Sequence, residues 1–208
     1  MASDDFPIAV VGLAVRLPGA QSCEEFWKLL MEGKSIVGEF PPDRISDISC
    51  LTTPFKDQLM NESKPFMSGS YFKSVDKFDT ELFQTDPREA LYLEPEQRIF
   101  LEVTWELFED AGYASSIRGS NTGVYVAHTV SKYNHLLSNQ PSCYYSAHNS
   151  SISSQVSSTH DLKGPTVMVG TGTCHSSSLL AVHLACHCLL YTSPSPRDAT
   201  LSRMPSSA

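Results

Sequence analysis

Thr166-Val-Met-Val-Gly-Thr-Gly-Thr-Cys-His-Ser-Ser-Ser-Leu179 joins two patterns that do not share a period. Thr166 to Val169 is a short apolar, β-branched run of the kind that forms buried strands. Leu179 to Leu190 is apolar and long enough for three helical turns. Small residues fill the interval around Cys174, so backbone can approach closely there. The stretch therefore predicts a strand, a tight turn carrying a thiol, and a helix that aims its unpaired N–H groups and positive dipole end at the sulfur. Thiolates attack carbonyl carbon, and a helix N-terminus lowers a cysteine pKa by position alone. Cys174 is thus the candidate nucleophile, and acyl transfer through a Cys-bound thioester is the chemistry to weigh first. Against it stands the ordinary fate of cysteine in soluble proteins, which is inert packing.

Working outward, strands and helices alternate. Ile8 to Leu13 is a continuous apolar run that predicts a fully buried parallel strand. Ser22-Cys-Glu-Glu25 offers a capping box ahead of Phe26, Trp27, Leu29, Leu30 and Met31, and Gly33 is placed to stop that helix. From Glu39 to Ser74 the signal fades into Pro, Asp, Ser and Lys, which predicts a surface excursion with short pieces of structure. Asp86-Pro-Arg-Glu89 is a helix start, with Asp as N-cap and Pro at the first position. Glu94-Pro95 opens a stronger helix in which Ile99, Val103 and Leu107 recur at helical spacing. Leu101, Trp105 and Phe108 widen its apolar face, and Gly112 closes it. Thr122 to Ala127 reads as a strand. The Ser-rich region from Ser138 to Ser158 has the composition of a linker, but small hydroxyl residues also suit a closely packed helix, and Gly164-Pro165 leads straight into the next strand. The alternation predicts an α/β architecture.

Composition excludes several classes. Fifteen Lys and Arg against 23 Asp and Glu leave a net charge of −8, and no basic run stands out, so a nucleic-acid surface is disfavoured. No stretch approaches the length of a membrane span, and Met1-Ala-Ser-Asp-Asp5 is acidic where a secretion signal is basic, so the expected location is the cytoplasm. Six cysteines without a compact repeated spacing are expected to be free thiols in that compartment. Residues 191 to 208 are Thr, Ser, Pro and Arg with no apolar period; they look like translated cloning adapter, are expected to be disordered, and are set aside.

Several separated motifs together resemble the ketosynthase (beta-ketoacyl synthase) domain of polyketide and fatty acid synthases. Pro7 to Gly19 is similar to that family's first strand and turn, and Glu25-Phe-Trp27 to its first helix. Tyr71-Phe72 with Val75-Asp-Lys-Phe-Asp79 follows. Asp86-Pro-Arg-Glu-Ala90, Glu94-Pro-Glu-Gln-Arg98, Trp105-Glu106 and Glu109-Asp-Ala-Gly112 come next, then Gly119-Ser-Asn-Thr-Gly-Val124 and Asp161-Leu-Lys-Gly-Pro165. The resemblance covers residues 6 to about 190 and implies the N-terminal half of a thiolase-like α/β fold. It implies that Cys174 accepts an acyl group from the phosphopantetheine arm of an acyl carrier protein, with its own N–H in the oxyanion hole. A carbanion from a decarboxylated, carrier-bound malonyl unit then condenses with that group. It also implies a homodimer in the intact parent and no directly bound cofactor. The two histidines and the lysine that assist decarboxylation belong to motifs beyond residue 208, so the isolated chain is expected to be inactive in condensation, with apolar faces exposed and poor solubility.

The chain departs from that pattern at its centre. The family's elbow reads Asp-Thr-Ala-Cys-Ser-Ser-Ser-Leu; here Gly170 stands where Asp is expected, the stretch is two residues longer, and His175 follows the thiol. Ser154-Gln155 replaces Asn-Arg. The rival reading is a non-catalytic fragment or pseudo-ketosynthase that keeps only dimerisation or carrier-docking surface. A cysteine hydrolase is disfavoured, because no His with a positioning Asn or Asp stands in recognisable context. His183 and His187, spaced i, i+4 beside Cys186 and Cys188, raise a zinc site. The two cysteines point off the His face, so no metal is expected and His183 reads as a satisfied core residue. His175 is set aside as a partner for Cys174, since sequence neighbours at a helix start do not face one another.

Overall fold

The computed structural model describes residues 8–44, 66–128, 151–170 and 176–192. It divides into two compact units: Gly12–Ser115 with Lys132–Ala147, and Met1–Val11 with Ser116–Ser131 and His148–Ala208.

The first unit is helical among its described residues. Helix α1 spans Cys23–Met31, α2 Pro87–Ala90 and α3 Pro95–Asp110, with a single 3-10 turn at Pro42–Arg44. Ser22 caps α1 by accepting the Glu25 N–H at 3.2 Å, while the Glu25 carboxylate accepts the N–H of Gln21 at 2.7 Å, so the reciprocal bond of the expected box falls one residue early. Asp86 accepts the Arg88 N–H at 2.7 Å and Pro87 opens α2, as the sequence predicts. A full capping box opens α3, where the Glu94 N–H donates to Gln97 Oε1 at 3.1 Å and the Glu94 side chain accepts in return.

Gly112 closes α3 at φ 73, with its N–H on the Glu109 carbonyl at 3.0 Å and the Tyr113 N–H on Phe108 at 2.9 Å. That pair of bonds is the Schellman stop, which needs a left-handed residue at its corner. The same two bonds close α1 around Gly33.

Helix α3 buries Gln97, Leu101, Thr104 and Phe108. This line lies about 130° around the helix from the expected stripe of Ile99, Val103 and Leu107, which is only half-buried. Leu101 and Phe108, expected at the margin, form the centre of the buried face. The other face carries Arg16, which pairs with Glu106 and lies 3.6 Å from Glu102. Burial lifts the Glu102 carboxyl above the usual carboxylate range although Arg16 opposes the shift.

The strand expected over Ile8 to Leu13 does not form. These residues have no regular structure, and Val10 and Leu13 are 85% and 61% exposed. A fully buried parallel strand needs hydrogen-bonded neighbours and cover on both faces, and the only strands among the described residues pair with each other. Leu13 instead donates its N–H to the Asp110 carboxylate at 2.8 Å. The excursion after Glu39 is closed at its base by reciprocal bonds between Gly38 and Gly69, both 2.9 Å, and by Phe40 stacked on Phe66 at 4.3 Å. Residues 45–65 within it lie outside the described residues.

The second unit carries the α/β signature. Strand β1 spans Val124–Ala127, helix α4 Ser151–Thr159, strand β2 Thr166–Val169 and helix α5 Ser177–Thr192. The strands are parallel, in register from Val124 opposite Thr166 to Ala127 opposite Val169. Helix α4 falls in the Ser-rich region and buries Ile152, Ser153 and Val156. Its small side chains allow a hydroxyl contact to the sheet, with Ser157 Oγ 2.7 Å from Thr166 Oγ1. The apolar centre of this unit is Val126, Ile152, Val156, Leu162, Val169 and Ala181. Helix α5 runs two residues past the expected boundary at 190, and residues 193–208 lie outside the described residues.

Gly164 sets the approach between the strands. A Cβ there would run into the carbonyl carbon and oxygen of Thr122 and come within 2.6 Å of the Gly123 nitrogen. Backbone cannot yield as a side-chain tip can, so Gly164→Ala is expected to cost about 1–3 kcal/mol, the range for overpacking a tight site. Thermal or urea melting of the two proteins measures it; an unchanged midpoint would contradict the close approach.

Candidate active site

Cys174 and His175 fall within residues 171–175, outside the described residues. The two elements on either side of them in the chain lie within the described residues. Strand β2 ends at Val169, Gly170 follows it, and α5 begins at Ser177, three positions after Cys174. The Ser176 carbonyl already accepts the Leu180 N–H at 3.1 Å, so the helical ladder starts there. A 16-residue helix carries close to the full end charge of a helix macrodipole, about half a positive unit at its N-terminus. The predicted strand and helix on either side of those residues are therefore present in that order.

Parallel pairing brings the ends of β1 and β2 level. His128 follows β1 as Gly170 follows β2, and a Cβ on Gly170 would lie 3.9 Å from the His128 carbonyl oxygen. Carboxyl ends of parallel strands are where α/β sheets place their reactive groups. His128 was not singled out in the sequence; the signal was an imidazole immediately after a predicted strand. Gly170, in place of the family's Asp, offers no carboxylate at this strand end.

At the opposite, amino end of the two strands the unit is tied by polar contacts. The Val124 N–H donates to the Pro165 carbonyl at 2.8 Å and the Lys163 N–H to Ser120 at 2.8 Å. Tyr125 is hydrogen-bonded to Cys188 of α5, and that bond, with a smaller contribution from burial, holds its phenol above the ordinary value. Ser154 is exposed and Gln155 half-buried on α4. Helix α4 stops with the same bond pair as α1 and α3, Leu162 N–H to Ser157 at 2.8 Å and Asp161 N–H to Ser158 at 3.2 Å, but with Asp161 at φ 52 in the glycine position. Asp161 is held below the usual range by its hydrogen bond to Lys163.

Among the described residues, His183, His187, Cys186 and Cys188 do not bring three ligand atoms together. Cys186 and Cys188 are half-buried thiols outside any disulfide, and His183 is exposed instead of packed in the core. A helix that is apolar on every side leaves room for His183 only where neighbours are absent. Cys23 is likewise a free thiol, and among the described residues no helix is long and apolar enough to cross a membrane.

His160, buried at the end of α4, has its pKa lowered, first by burial and then by the Arg118 charge. Its unfolded counterpart binds a proton near pH 6.5. The unfolded state therefore takes up more protons below that pH, and the folded state loses stability as pH falls through it. Melting of the chain at pH 7.5 and 5.5 is expected to show a drop that His160→Gln reduces; an equal drop in the variant would remove His160 as the cause.

The described geometry has close parallels. Residues 5–193 match the family model "Beta-ketoacyl synthase, N-terminal domain". Polyketide synthase PksM of Bacillus subtilis (strain 168) is 37% identical over 186 residues, covering 89% of this chain and 4% of that protein. Polyketide synthase GfsB of Streptomyces halstedii is 40% identical over 195 residues, covering 90% of this chain and 3% of its own length. Among solved structures, the ketosynthase from module 6 of the bacillaene synthase of Bacillus subtilis 168 superposes with a TM-score of 0.69 at 28% identity, covering 88% of this chain and 29% of that one. Ketosynthase twelve of the bacillaene polyketide synthase of Bacillus amyloliquefaciens gives 0.67 at 29% identity, with 88% and 32% covered. The chain thus spans under a twentieth of these two curated relatives and about three tenths of the ketosynthase structures.

Proposed function

Because the chain belongs to the beta-ketoacyl synthase family, as an N-terminal domain with a thiolase-like fold, we propose that it supplies the acyl-accepting nucleophile of a polyketide ketosynthase. The observation that supports this reading is the order β2 then α5, the two elements on either side of position 174 in the chain. The helix end favours the thiolate over the thiol. The Cys174 sulfur attacks the carbonyl carbon of a carrier-bound acyl thioester. A new C–S bond forms, and negative charge gathers on the carbonyl oxygen, where the Cys174 N–H stabilises it. The bond to the carrier's phosphopantetheine sulfur then breaks, and the departing thiolate takes up a proton from solvent. The acyl group now sits on the protein.

The partner is an acyl carrier protein, which brings its own phosphopantetheine arm; no further cofactor is needed for thioester exchange. Dimerisation with a second copy and a cytoplasmic location belong to the same proposal. Condensation with a decarboxylated malonyl unit is proposed for the whole protein, and the 208 residues alone are proposed to load without condensing. The fit of residues 5–193 to the family model supports the reading.

Incubating the chain with an acyl-pantetheine thioester and mapping adducts by peptide mass spectrometry tests it. The expected result is one acyl group on the Cys174 peptide, absent in Cys174→Ala. No adduct under conditions that load a complete ketosynthase would reject the nucleophile and leave the pseudo-ketosynthase reading in its place.

A further inference from the structure

We propose that His183 and His187 form a two-imidazole site for a borderline divalent transition-metal ion on the exposed face of α5. The proposal does not depend on acyl transfer. Both residues are exposed, one helical turn apart, and their ring centroids lie 4.6 Å from each other with the planes inclined by 57°. An imidazole nitrogen binds such an ion at about 2.0–2.1 Å, which sets each ring centroid about 3.2 Å from the metal. Two rings in neighbouring coordination positions then have centroids about 4.6–5.2 Å apart, for ligand angles of roughly 90–110°. The observed separation falls at the lower edge of that range, so the ring spacing matches chelation by the pair.

The sequence argued against a metal because His183 read as core and the cysteines pointed off the face. Exposure of His183 removes the first objection. The second defines the ligand set. Cys188 is engaged with Tyr125, and among the described residues no third His, Cys, Asp or Glu converges on the pair. From the described residues the ion therefore takes two protein ligands, and water completes its shell. Nitrogen and water ligands suit nickel, copper and zinc, and exclude calcium and magnesium, which take oxygen. Chelation across one turn ties the backbone of α5 at both ends of that turn, so binding to the folded helix must raise its stability by mass action.

Nickel(II) is the probe, because it prefers imidazole and does not oxidise thiols. The full chain, without an affinity tag and with reduced cysteines, is titrated by calorimetry and melted with and without the ion. One ion per chain and a higher Tm are expected. His187→Gln and His183→Gln should each weaken binding at least tenfold and abolish the Tm shift, with circular dichroism showing retained helix, while His175→Gln binds as the parent does. No binding by the parent chain, or a stoichiometric site that survives both substitutions, would overturn the proposal.

Discussion

Everything in the α/β unit follows from the parallel ladder between β1 and β2. Four residues on each strand fix the register, from Val124 opposite Thr166 to Ala127 opposite Val169. Because the strands run the same way, the chain leaves both of them at one end of the sheet, where Gly170 lies beside His128. Antiparallel pairing would have put the two exits at opposite ends. The register in turn depends on Gly164, where no side chain fits between the two backbones, and on α4, whose serines let it lie close enough for a hydroxyl bond to Thr166.

The acyl transfer proposed at that end draws on a helix dipole. Gly170 brings no carboxylate to that strand end, and α5 begins at Ser177 with the positive end of its dipole. The helix is anchored at its start by buried Ser177 and Ala181, and along its length by Tyr125 on Cys188. Its other faces remain open, with Leu179 at 75% and Val182 at 61% exposure. An all-round apolar helix is built to be enclosed. The same character accounts for the exposed Val10 and Leu13: both segments have the composition of interior structure in a fold whose solved examples are about three times longer.

Local signals were read well where chemistry is local. Asp86-Pro87 and Glu94-Pro95 name helix starts, Gly33 and Gly112 name stops, and each is where the sequence puts it. Apolar periodicity was less faithful. In α3 the stripe Ile99, Val103 and Leu107 has the right spacing, yet the buried line includes Gln97 and Thr104, whose polar groups are satisfied by the capping box and by the Phe100 carbonyl at 2.7 Å. Hydropathy cannot reveal which polar residues find partners. The apolar run at Ile8 failed as a strand for a related reason: pairing is non-local, and a run of valines does not carry its neighbour with it. Of the candidate site, the flanking elements β2 and α5 were legible, while Cys174 itself lies outside the described residues. His128 and the exposure of His183 were not, because both depend on what packs nearby.

The central claim is that position ahead of α5 makes one thiol unlike the others. Alkylation by iodoacetamide, followed peptide by peptide from pH 5 to 10, measures it for every cysteine in one experiment. A midpoint for Cys174 below the ordinary thiol value of about 8.5, and below those of Cys186 and Cys188, is the predicted result. A midpoint at or above 8.5, or no alkylation of Cys174 where Cys23 reacts, would contradict an activated sulfur at that turn.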